Sequence, residues 1–145
     1  MRQRIVLVLA LLLGLVVLQQ RSDWFFSEPA GDVISSAERI EQAYRNRRSS
    51  VQVEGRGTVV KILADDRRGS RHQRFILEMV TGQTLLVSHN IDLAPRIDTL
   101  RIGDPVEFFG VYEYNDEGGV IHWTHHDPSG RHVDGWLRHN GRLYR

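Results

Sequence analysis

The chain has 145 residues, of which 41% are hydrophobic and 26% charged, with a formal net charge of +1; this is ordinary globular composition and enough chain for one domain. The first 30 residues hold three basic and two acidic side chains, leaving 16 of each in the remainder. That neutral balance argues against bulk nucleic-acid binding and leaves only local patches for an anion. The absence of cysteine excludes a disulfide framework, a thiolate zinc site and a cysteine nucleophile.

Arg2 and Arg4 precede an unbroken apolar run, Ile5 to Leu18, of 14 residues. As a helix it would rise about 21 Å, less than the roughly 30 Å of a hydrocarbon core. That length suits a signal peptide, whereas extension through Gln19 and Gln20, with Trp24, Phe25 and Phe26 at the interface, suits a retained anchor. Residues 1–26 are therefore expected to be a signal peptide or signal anchor. The rest is expected in the periplasm, either released after cleavage or held at the inner membrane by residues 5–20.

Residues 27–50 read as a linker and a short amphipathic helix. Ser35 and Glu38 have capping-box spacing, and Ile40, Ala43 and Tyr44 form one apolar stripe ending near Arg48. From Val51 the period changes to that of strands. Val51–Leu63 is rich in β-branched residues. Gln73, Phe75, Leu77 and Met79 alternate with His72, Arg74, Ile76 and Glu78. A turn at Thr81–Gln83 leads to a strand over Thr84–His89, and a connection over Asn90–Leu100 leads to another over Val106–Tyr114. Asn115–Gly119 is a hairpin turn into a fifth strand, Val120–His126, and Asn140-Gly141 marks a last hairpin. The expected fold is mainly β. Residues 51–145 form a small five-stranded OB-like Greek-key barrel, preceded by one short α-helix and the N-terminal hydrophobic segment.

Four of the seven histidines fall in Gly118–Trp136: His122, His125, His126 and His132. Imidazole is a common metal ligand and general base. On a strand, however, His122 and His126 lie about 13 Å apart, so a site must recruit from other segments. The metal-ligand candidates are His72, His89, His122, His125, His126, Asp127 and His132, for a divalent ion held by nitrogen and oxygen. His72, Arg74, His89 and Asp92 are the catalytic candidates. Arg71, Arg74, Asn90, Arg96 and Trp123 are the ligand-binding candidates. Trp123 shares the Ile121 face on a regular strand, which predicts core packing, and Asp127–Gly130 is turn chemistry in its own right.

Three blocks, Gly69–Phe75, His89–Ala94 and His122–Pro128, together with Gly135-Trp136-Leu137, resemble a bacterial family known as domain of unknown function 3465. The resemblance spans roughly Gly57 to Tyr144. It implies a short exported bacterial protein and carries no activity with it. Two functional expectations stand together. One is an OB-like binding module for a small anionic, oligosaccharide or nucleotide-like ligand or a partner protein. The other is a metal-dependent hydrolase, of phosphodiesterase or nuclease type, built on the His/Asp cluster.

Overall fold

Apolar residues spaced three and four apart give way at Val51 to strict alternation, and the secondary structure follows that change. The computed structural model describes residues 30–145, with side chains from Ile34 onward. The expected signal or anchor segment lies outside the described residues. Among the described residues no helix is long and apolar enough to cross a membrane.

Helix α1 runs over Ala30–Arg45. It begins before the expected cap, so Ser35 lies inside it; Pro29 stands just ahead in the sequence, a residue type suited to a helix's first turn. Its far end is a left-handed cap at Arg47, with φ 50°. There Arg48 N donates to Ala43 O at 2.9 Å and Arg47 N to Tyr44 O at 3.0 Å, closing the exposed carbonyls. Ala37, Ile40 and Ala43 are buried in the same hydrophobic cluster as the strands that follow. Tyr44 stacks on Tyr114 with centroids 5.7 Å apart.

Seven strands follow: β1 (Val51–Ile62), β2 (His72–Met79), β3 (Thr84–Asn90), β4 (Pro105–Glu113), β5 (Val120–His122), β6 (Trp136–His139) and β7 (Arg142–Tyr144). The first five close into a barrel in the order β1-β2-β3-β5-β4, with β4 returning to β1. Long β1 makes closure possible. Its first part pairs with β4, from Val51↔Tyr112 to Thr58↔Pro105. Its second part pairs with β2, with an irregularity between Val59 and Lys61. Where the strand bends across the barrel, a Cβ on Gly55 would lie 2.7 Å from the Phe108 ring, so this close approach requires glycine. β3 and β5 are parallel, with Leu86↔Val120 and Val87↔Ile121 in register.

The interior is filled by one face of each strand. Val59, Phe75, Leu77, Leu85, Val87, Phe108, Tyr112, Ile121 and Leu137 are fully enclosed. The connection after β3 adds Ile97 and Leu100. It is held by a polar clamp: buried Gln73 donates to Ile97 O at 2.9 Å and accepts from Ile97 N at 2.8 Å.

The fifth strand is shorter than its sequence suggests. The expected strand runs to His126, but pairing stops at His122. Trp123 has φ 55°, which turns the chain out of the ladder. The chain re-enters at Trp136, and β6 pairs with the other part of the same edge of β4, from Phe109↔Trp136 to Val106↔His139. β5 and β6 are thus two pieces of one strand position, separated by an excursion over residues 123–135.

Candidate ligand-binding face

Local chemistry explains why the excursion has one shape. At its neck, Gly135 N donates to His125 O at 2.9 Å. At its tip, the Asp127 carboxylate accepts from Ser129 N and Oγ at 2.9 and 2.6 Å. It also accepts from Arg131 N at 2.7 Å and His132 N at 2.8 Å. These bonds hold the Asp127 carboxyl far below the usual carboxylate range. Asp134 closes the other side. Its carboxylate accepts from Asp127 N at 2.9 Å and lies 2.7 Å from His126 Nδ1.

The product is a presented aromatic. Trp123 is half-buried, and the exposed His132 ring stacks on it with centroids 3.6 Å apart and an interplanar angle of 23°. His122 lies beside it, its ring centroid 6.0 Å from that of Trp123. Burial pushes the His122 imidazole pKa down against the opposing pull of Glu113, and His72 and His132 add to the lowering. His122 and His132 thus both lie against Trp123, with His72 within electrostatic reach of His122. Trp123 is not packed in the core with Ile121; its left-handed backbone redirects the side chain.

The interior histidine behaves differently. His89 is fully enclosed. Its Nδ1 lies 2.8 Å from Thr124 Oγ1 and its Nε2 lies 3.2 Å from Pro95 O. A neutral ring satisfies both contacts, donating from Nε2 and accepting at Nδ1. Burial pushes its pKa down to about 4, so it is uncharged at neutral pH.

Strand register explains which candidates fail to meet. His72 pairs with Asn90 and Gln73 with His89. Side chains alternate along a strand, so His72 and Asn90 share the outer side while His89 points inward. The expected joint set of His72, His89 and the histidines beyond β5 therefore does not assemble. His125 uses Nδ1 on His126 O at 2.7 Å, His126 is paired with Asp134, and Asp127 is occupied by the loop itself. Among the described residues no group of three or more His, Asp or Glu side chains is arranged to hold a metal ion.

The remaining candidates are tied within the chain. Asp92 accepts from Arg71 N and Nε at 2.7 and 2.6 Å, which holds its carboxyl below the ordinary range. Asn90 Oδ1 accepts from Asp92 N at 2.9 Å. Arg74 donates from Nε and Nη2 to Ala64 O. Arg96 is bound by Asp65 and Asp98.

Sequence reasoning missed Thr124, Asp134 and the Asp104–His139 pair, whose atoms are 2.8 Å apart. The available signal was spacing: Asp127 and Asp134 bracket a Ser-Gly turn, the pattern of a loop fastened by its own carboxylates.

A family model described as protein of unknown function (DUF3465) matches residues 25–145. No curated protein matches the chain.

Proposed function

The chain belongs to this family of proteins of unknown function, and we propose that it is an exported, periplasmic binding module of the OB type. Its ligand would carry a flat ring or sugar face, an oligosaccharide or a nucleotide-like molecule. The barrel order, with a meander over β1–β3 and parallel β3 and β5, is the arrangement expected of an OB barrel. In such barrels the face of the second and third strands and the adjoining loops take oligosaccharides and oligonucleotides.

The observation that carries the reading is the Trp123–His132 stack, held at the end of β5 by a loop fastened through Asp127 and Asp134. A fixed aromatic plane is suited to stacking. Binding is favoured over hydrolysis because three of the six candidate histidines are already committed, His89 inside the barrel, His125 to a carbonyl and His126 to Asp134, and no three candidate ligands among the described residues converge on one ion.

The test is a fluorescence titration of the full-length protein with neutral oligosaccharides and nucleoside monophosphates. At least one class should change tryptophan emission saturably. Trp123→Ala should weaken that ligand by roughly ten- to a hundredfold, as loss of one stacking contact predicts. No saturable change with either class, or undiminished affinity in the Trp123→Ala protein, would sink the proposal.

A further inference from the structure

A second feature shares no residue with the Trp123 face. The connection after β3 and the β6–β7 hairpin line an open pocket of about 480 Å³. Its polar lining includes Arg96, Thr99, His139, Asn140 and Arg142, with Tyr144 beside them.

Two of these groups have unused capacity. The Arg142 guanidinium lies over the Tyr144 ring, 5.0 Å from its centroid, and has no carboxylate partner among the described residues. His139 is 1% exposed. Its Nε2 is held by Asp104 at 2.8 Å, while its Nδ1 is buried with no hydrogen-bond partner among the described residues. A buried imidazole nitrogen left bare costs free energy unless something pairs with it. Arg96 adds a guanidinium pre-positioned by Asp65 and Asp98. The acidic groups around the pocket, Asp65, Asp98 and Asp104, are each engaged by Arg96 or His139, whereas Arg142 is not neutralised.

We infer that this pocket is a binding site for a small tetrahedral oxyanion, such as phosphate or a phosphate ester, with Arg142 and Arg96 as its charged donors and His139 beneath them. Arginine's planar fork suits such an oxyanion.

Sulfate is the probe, because its charge is constant near neutral pH. Full-length protein is titrated calorimetrically with sodium sulfate. The expected result is saturable binding, shared by inorganic phosphate and weaker with acetate. Arg142→Gln should weaken sulfate binding by about tenfold or more and leave the melting temperature without sulfate unchanged. Trp123→Ala should leave sulfate affinity unaltered. Absence of saturable sulfate binding, equal affinity in the Arg142→Gln protein, or preference for acetate would each overturn the inference.

Discussion

His89 Nδ1 and Thr124 Oγ1, both fully enclosed, meet at 2.8 Å and fasten the end of β3 to the first residues of the excursion. In the neutral ring Nδ1 accepts from the hydroxyl; protonation there reverses the bond and places a charge inside the barrel, which is the costly change. The His89 pKa is pushed down to about 4 from an ordinary 6.5. Between those values the unfolded chain binds more protons than the folded one, so stability falls as pH falls. His89 therefore costs nothing above about pH 6.5 and removes about 3 kcal/mol by the time pH reaches about 4. Half-buried His122 shifts in the same direction. The carboxyls held low at Asp92, Asp104 and Asp134 act below the unfolded carboxylate range, near pH 4, so their losses come later. Denaturant unfolding across pH 7 to 4.5 should show the decline. In a His89→Gln variant that folds, the slope should flatten; an unchanged slope would contradict the assignment to His89.

Gly135 closes the neck of the excursion. A Cβ placed there would collide with the carbonyl oxygens of Trp123 and Phe109, which are backbone atoms and cannot swing aside. Gly135→Ala should destabilise the protein by about 3 kcal/mol or more. It should also change tryptophan near-ultraviolet dichroism, because Trp123 and Trp136 flank the displaced segment. Gly141→Ala is the comparison: its Cβ meets nothing within 4 Å and its cost comes only from φ 76°, on the order of 1 kcal/mol. If the two substitutions cost the same, contact at the neck is not what selects glycine there.

The barrel was legible because alternation over His72–Met79 and Thr84–Asn90 could be read directly, and the short turn between them sets the register. The same parity separates His72 from His89: the two stand at neighbouring strand ends in the sequence, but on opposite faces of the sheet. The excursion was less legible. Val120, Ile121, Trp123 and Thr124 all favour strands, and nothing local announces a left-handed Trp123. That conformation is imposed by tertiary contacts at Gly135, Thr124 and Asp134. The hydrophobic N-terminal run stays an expectation, since residues 1–29 lie outside the described part of the chain.

Gln73 shows the same limit from the other side. It is in phase with Phe75, Leu77 and Met79 and faces inward as they do, but its role is polar. It is 1% exposed, and its amide satisfies both the N–H and C=O of Ile97, standing in for a strand partner where the connection has none. Gln73→Leu keeps the burial and the approximate volume while leaving two buried backbone groups unpaired. The expected loss is about 2 to 4 kcal/mol, the cost of stranding those groups. Because the connection also supplies Arg96 and Thr99, the variant should loosen residues 94–100 before the barrel itself. Amide exchange would register this as faster exchange at Ile97, whereas Leu77 and Val87 should keep their protection relative to global stability. Equal acceleration at all three, beyond the change in global stability, would mean that Gln73 supports the barrel as a whole rather than the connection.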